Sequence, residues 1–527
     1  MKELFNVHGK YKSLMALIIA MLMLSVFAGC GGQGSSQETV AAPQSSEAGT
    51  TGETTANLPE AKIIYYTGGQ FPLPDQEMVF KEFNKMLKEK INATVDFRVF
   101  DWGSYPQKMQ TVISSGDDYD ICYTSNWAND FTQNMAKGAF MPLDDLLAKY
   151  GKQVYASMPD TIWDGVRVNG KIYAVINQQV YASSPAVFLP EKLLKESGYD
   201  WKTQYVQGDL RSLEPLVEYM GTHYEHSYFF PDFVATPLLG LEYLGGPIPA
   251  ALDIKDGKTI VNPYKFPNFI KAIDDMQYYN SKEYTASDIR SAYPADLVPA
   301  DQMGTNPNAY LNITGTYMPG YDAIMSQGKQ RDDPLWVTGW PSIEPFVSAN
   351  NLLATLIGFS ANSKNPERAM MMVELMNLPP QEGEKYNKLF NTFCFGIEGV
   401  HWQYTDDGRR HWLKPITSYC PNLDWGAGCQ FNAVPEDTMD VDVYEQQREY
   451  NAKAKLSPAF GFAFNPEPVK TEVANCTGII TEYKRRMDLG TITDAEYDQL
   501  VTKLDQAGAD TIIKEMQSQL DAYLASK

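Results

Sequence analysis

The chain has 527 residues, 44% of them hydrophobic and 12% aromatic, enough to build large cores in about two to four domains. Its formal net charge is -21, so nucleic acid and anionic lipid would both repel it. Among six cysteines, Cys30, Cys122, Cys394, Cys420, Cys429 and Cys476, no C-x-x-C or other metal-like spacing occurs. Only Cys420 and Cys429 stand as a plausible pair.

The first element is Leu14 to Cys30, an apolar run led by Lys2, Lys10 and Lys12 and closed by Ala28 and Gly29. It is too short for a comfortable membrane span and has the layout of a secretory signal. The ending Val26-Phe27-Ala28-Gly29-Cys30 resembles a bacterial lipobox, in which Cys30 is acylated and anchors the mature chain to the outer face of the cell membrane. Gly31 to about Pro59 is rich in Gly, Ser, Thr, Ala and Gln and reads as a linker.

Globular sequence begins with the strand-like run Ala61–Tyr66, which ends at Thr67-Gly68-Gly69. Asp75 is placed to cap a helix with Met78, Phe80, Phe83, Met86, Leu87 and Ile91 on its apolar side. A strand over 94–100, a helix over 105–114 and a strand over 118–123 follow. Strand alternating with helix at this spacing predicts a parallel sheet with crossover helices. Ligands collect at the carboxyl ends of such strands, here Gly68 to Gln70, Asp101-Trp102 and Ser125 to Trp127. Further on, Asn365 and Pro366 start a helix to about Asn377, Thr405-Asp-Asp-Gly408 turns a hairpin, and Thr493-Asp-Ala-Glu496 is a capping box. Ile512, Ile513, Met516, Leu520 and Leu524 form an apolar stripe near the end.

Catalytic signatures are missing. His223-Tyr-Glu-His226 is the only histidine cluster and is not a zinc-protease motif; no Gly-x-Ser-x-Gly or phosphate-binding loop occurs. Acidic residues are plentiful, so counting alone leaves a glycosidase pair open. Aromatic and amide residues at strand ends and loops stand out instead: Trp102, Trp127, Tyr181, Tyr317, Trp340 and Trp425, with Gln70, Asn126, Gln178 and Asn351. Rings stack on the C–H face of a sugar, and amides bond its hydroxyl rim. These ten residues are the expected ligand-binding set; Arg331, Arg409 and Arg410 could meet a uronate.

Met141-Pro-Leu-Asp-Asp-Leu-Leu147, Asn169-Gly-Lys-Ile-Tyr-Ala-Val-Ile176 and Val187-Phe-Leu-Pro-Glu-Lys-Leu-Leu194 come in an order that resembles the family 1 extracellular solute-binding proteins of ABC transporters. Ile313–Tyr317, Trp336–Pro341, Asn365–Ala369 and Asn391–Gly399 continue the resemblance, and Pro458 to Lys527 looks like the C-terminal module of its LipO-like lipoprotein branch. Asn177 departs from the family pattern, which usually has proline there. The resemblance implies an α/β, two-lobe periplasmic-binding-protein-like fold, each lobe a mainly parallel sheet flanked by helices and joined by hinge strands. The expected division is signal 1–30, linker 31–59, first lobe 60–178 and 353–425, second lobe 179–352 and 426–527. It also implies a monomer that takes a carbohydrate into an interlobe cleft and passes it to ABC permease subunits. No catalytic residue, metal or cofactor is expected. A secreted glycan-degrading enzyme, or a binder of peptides or other solutes on the same scaffold, is the alternative.

Overall fold

The computed structural model describes residues 58–182, 184–188, 191–206, 209–223, 229–231, 239–246, 248–283, 311–320, 345–349, 351–380, 384 and 386–526. The leader, Cys30, the linker up to 57, His226, Arg331 and Trp340 lie outside the described residues. The chain forms two compact units. One, the sheet unit, takes the described residues up to Gln179 and then Leu352–Asp437; the other, the helical unit, takes Val180–Asn351 and the chain from Thr438 onward.

The sheet unit is built on β1 (Ala61–Gly69), α1 (Gln76–Ile91), β2 (Ala93–Asp101), α2 (Tyr105–Ser115), β3 (Ile121–Thr124), β4 (Ala174–Ile176), β5 (Leu356–Phe359), α3 (Pro366–Asn377) and α4 (Lys388–Phe395). The sheet order is β2-β1-β3-β5-β4. β1 lies parallel to β2, from Ala61 opposite Ala93 to Gly69 opposite Asp101, and parallel to β3. β5 runs antiparallel to both β3 and β4, so the other four strands share one direction and the sheet is mainly parallel with one reversed strand. The reversal follows from connectivity, because β5 returns into this unit from the other one.

α1 buries Val79, Phe80, Phe83, Met86, Leu87 and Ile91, a stripe at helical spacing, and leaves the expected Met78 exposed. Phe80 stacks on Phe97 of β2 with ring centroids 4.4 Å apart, and Phe393 of α4 closes on the same ring at 5.3 Å. Each such side chain contributes about 2 kcal/mol by leaving water. The helix ends at Asn92, which takes the left-handed conformation (φ +46°).

Sequence beyond Trp425, expected to leave this unit, stays in it to Asp437. Buried amides hold it there: Asn391 Nδ2 donates to Asn432 O at 2.8 Å, and Asn391 Oδ1 accepts from Val434 N at 2.8 Å. The hairpin of Trp402–Tyr404 and Arg410–Trp412 pairs antiparallel as its turn predicts.

The helical unit has no sheet of that size among its described residues. Its described strands form small sheets: Ser184–Phe188 antiparallel to Leu311–Tyr317, which is parallel to Phe229–Pro231, and an antiparallel trio, Leu241–Glu242, Ala251–Asp253 and Ile260–Val261. Helices carry the core instead. Pro267–Ser281, Lys470–Asp488, Asp494–Gln506 and Ala509–Ala525 supply Phe269, Ile273, Met276, Ile480, Leu500, Leu504, Ile512, Met516 and Leu520 to one buried cluster. The terminal stripe is thus core, with Ile513 and Leu524 partly buried beside it. Gly490 (φ +63°) permits this packing, since a Cβ there would lie 1.9 Å from Met276 O.

Candidate functional site

At the carboxyl ends of β1, β2 and β3 in the sheet unit, three tryptophans from distant points of the sequence meet. Trp102 lies 4.8 Å from Trp127 and 5.8 Å from Trp425, centroid to centroid, and Trp127 lies 6.2 Å from Trp425. Tyr123, at 5.0 Å from Trp102, completes an aromatic basin. Below it, Tyr105 meets Trp102 edge-on at 5.9 Å, and its hydroxyl donates to Tyr123 O at 2.6 Å.

The depth of each ring decides what it can do. Trp102 is only 8% exposed, because β1 ends in a glycine beneath it: a Cβ on Gly68 would lie 2.3 Å from the indole. Trp102 is therefore the back wall, while Trp127 and Trp425 are half-buried and present the accessible surface. Trp127 Nε1 donates to Ala354 O at 2.9 Å, and the Tyr123 hydroxyl donates to the same carbonyl at 2.7 Å. Trp102 Nε1 is buried with no acceptor among the described residues, an uncommon state that a bound water or ligand oxygen would relieve.

The nearby carboxylates are engaged. Asp101 Oδ2 accepts from Ser104 Oγ at 2.6 Å and Oδ1 from Gly103 N at 2.9 Å, and the Ser104 bond leads in holding its pKa below the usual range. Asp424 Oδ2 accepts from Gln430 Nε2 at 3.0 Å. Burial holds the phenols of Tyr105 and Tyr123 well above the usual range, so both stay neutral donors.

Six of the ten expected residues stand in this unit at strand ends or in loops: Gln70, Trp102, Asn126, Trp127, Gln178 and Trp425. Gln70 is half-buried and its N–H donates to Pro421 O at 2.9 Å; Asn126 N–H donates to Leu353 O at 2.8 Å. Gln178, expected at a sugar's rim, is buried, and its Nε2 donates to Asn377 Oδ1 at 3.1 Å. Its strand-end position is real, but the loop after Trp425 covers it: Gln178 N–H donates to Gly428 O at 2.9 Å and its carbonyl accepts from Gln430 N at 2.7 Å.

Tyr181 and Asn351 belong to the helical unit. Asn351 is buried and bridges two crossing segments there, its Nδ2 donating to Tyr181 O at 2.8 Å. The neighbouring N–H groups of Tyr181 and Ala182 both donate to Asn451 Oδ1, at 3.1 and 3.0 Å. These amides fasten backbone, which corrects the rim role expected of Asn351. Tyr317 ends a strand of this unit, with its side chain outside the described residues, as is Trp340.

Two of the arginines named for a uronate, Arg409 and Arg410, are spent on the hairpin. Arg409 pairs with Asp407 at 2.7 Å; Arg410 is buried, stacks 3.6 Å over Phe395 and donates to Val434 O at 2.6 Å. Cys420 and Cys429 are not joined. Among the described residues no group of three His, Cys, Asp or Glu side chains could hold a metal ion, and His223 stacks on Tyr219 at an exposed position. Sequence reasoning assigned no role in the site to Gly68, Tyr123, Asn129 or Asn177, although it noted Gly68 at a strand end and Asn177 as a departure. The first two flank the strand ends and Asn129 bonds within its own loop, so these three were within reach of it; Asn177 acts through Gly426 and Gly428, far away in sequence.

Residues 69–214 match the profile of the family described as bacterial extracellular solute-binding protein, and residues 458–525 match a domain of unknown function (DUF3502). A carbohydrate ABC transporter substrate-binding protein from Streptococcus pneumoniae is 27% identical over 461 residues, covering 84% of this chain and 87% of the relative. The crystal structure of the N-glycan transport solute binding protein (NgtS) from Streptococcus pneumoniae superposes with TM-score 0.72 at 24% identity, over 88% of this chain and 99% of that one. An HMO-binding, ABC-transporter-associated solute binding protein from Bifidobacterium longum infantis superposes with TM-score 0.59 at 15% identity, over 88% and 99%. At these identities the structural likeness establishes the fold.

Proposed function

We propose that this chain is a bacterial extracellular solute-binding protein that captures a carbohydrate, an oligosaccharide in particular, and delivers it to an ABC permease. The observation that carries this reading is the aromatic basin, two half-buried tryptophans over a third at the strand ends. Such a surface suits a ligand with an apolar C–H face and hydroxyl oxygens. NgtS has been solved with Man1GlcNAc and with Man5GlcNAc, and these two glycans are the first ligands to try. No bond is made or broken in this account. Affinity comes from stacking, water exclusion and neutral hydrogen bonds. The protein works outside the cytoplasm, and acylation of Cys30 would hold it at the membrane face, near its permease.

The test is a thermal-shift screen of the purified protein against mono- and oligosaccharides, followed by calorimetry. A ligand that binds only the folded chain raises the melting temperature by mass action. One glycan series is expected to do so, and Trp127→Ala is expected to weaken it about tenfold, by loss of one aromatic contact. A cooperative melt unmoved by every sugar would overturn the reading, and new reducing ends released from an oligosaccharide would mark a hydrolase instead.

A further inference from the structure

The two accessible rings of the basin sit on loops with no regular structure of their own, yet each loop is fastened by one buried asparagine. Asn177 follows β4 and is 1% exposed. Its Nδ2 donates to Gly426 O at 2.8 Å and its Oδ1 accepts from Gly428 N at 3.0 Å, so both ends of the amide grip the loop that carries Trp425. Its own N–H donates to Thr355 O at 3.1 Å, a bond closed to proline. The departure at position 177 thus has a physical reason: this position uses a backbone donor, a side-chain donor and a side-chain acceptor together.

Asn129 does the same for the other loop. It is buried in the left-handed conformation (φ +53°), which asparagine tolerates better than most residues. Its Nδ2 donates to Tyr123 O at 2.9 Å, its Oδ1 accepts from Asn134 Nδ2 at 2.8 Å, and its carbonyl accepts from Thr124 Oγ1. Within that closed loop, Ser125 Oγ accepts from the N–H groups of Trp127 and Ala128 at 3.2 and 2.8 Å.

We propose that Asn177 and Asn129 are positioning residues that hold Trp425 and Trp127 against Trp102 before any ligand arrives. Neither touches the ligand. Their effect is to spare binding the loss of side-chain freedom that ordering two loose rings would bring, worth up to about tenfold in affinity per ring. That the held rings meet a glycan rests on the function proposed above; that they are held does not.

Indole rings this close couple their electronic transitions and give paired circular-dichroism bands of opposite sign. Spectra of the ligand-free protein, of Asn177→Ala, and of each combined with Trp425→Phe isolate the contribution of Trp425 among nine tryptophans. Asn177→Ala is expected to lose at least about half of that paired signal while still melting cooperatively, and to weaken glycan binding about tenfold. Should it fail to fold, Asn177→Asp keeps the volume and the acceptor for Gly428 while losing the donor to Gly426, and should show the same spectral loss. Asn129→Gly tests the second loop with the left-handed backbone left unstrained. A paired signal of full amplitude in folded Asn177 and Asn129 variants would overturn the proposal, whatever happens to binding. Loss of the signal in a protein that binds no glycan would leave the positioning role standing and sink the carbohydrate reading instead.

Discussion

Glu242 shows how much one side chain can hide from a sequence. It is fully buried in the helical unit, where its carboxylate accepts from Ala349 N and from Ser457 Oγ, each at 2.6 Å, with no ion pair among the described residues. Burial pushes it up to about 7, only partly offset by those two bonds. Between its ordinary value of 4.5 and about 7 the folded state keeps a proton that the unfolded chain releases. Its contribution to stability is therefore most favourable below the unfolded value and declines as pH rises through that window, by about 3 kcal/mol in all. Glu242→Gln should abolish this decline, so melts of the two proteins should diverge from about pH 5 to about pH 8 in favour of the variant. A constant gap across that range would show that the carboxyl does not titrate there. Nothing around position 242 announces this, because its partners lie more than a hundred residues away. The depth of Trp102 is hidden for a similar reason: its strand-end place was plain, but only the fit over Gly68 makes it a back wall.

At the scale of elements, local signals held where no distant group competes for them. Thr493 is the clearest: its Oγ1 accepts from Glu496 N at 3.3 Å, and Glu496 Oε2 accepts from Thr493 N at 2.8 Å. Thr493→Ala should cost about 1 kcal/mol, measured by denaturant unfolding. Asp75 precedes α1 with equally good credentials, yet makes no side-chain cap. Lys414 Nζ takes its carboxylate at 2.7 Å and holds its pKa below the usual range, with buried His401 at 3.3 Å beside it. Asn365 is likewise diverted, its Nδ2 going to Lys62 O, while its N–H donates to Asp120 Oδ1. The parallel β1-β2-β3 core was legible because strand and helix alternate over a short span. The antiparallel β5 was not, since alternation tells a strand from a helix but never names its partner.

At the scale of the whole molecule, a net charge of -21 invites the thought of a cationic ligand, but the basin contradicts it. Asp101 and Asp424, the carboxylates at its edge, already have partners, and recognition there falls to rings and neutral donors. Glycan affinity should therefore change less than about twofold between low and high salt, because screening acts on charge pairs. A steep fall with salt would point to a charged ligand. The ligand class was reached from aromatic strand ends together with family resemblance. The residue-level site was only half legible, since Gln178 and Asn351 carry the right chemistry but spend it inside the protein, on the Asn377 side chain and on the Tyr181 backbone.

The division of the chain has a consequence for how the protein is made. Neither unit is a continuous stretch: one is completed by residues up to Asp437, the other by helices that run almost to the last residue. The cluster of the helical unit joins Leu193 to Ile512, Met516 and Leu520, so it cannot close until the chain has been synthesised as far as Leu520. Contacts of such long sequence separation also form slowly. A chain built this way stays open until its late helices reach the residues they pack against, some of which were made more than three hundred positions earlier.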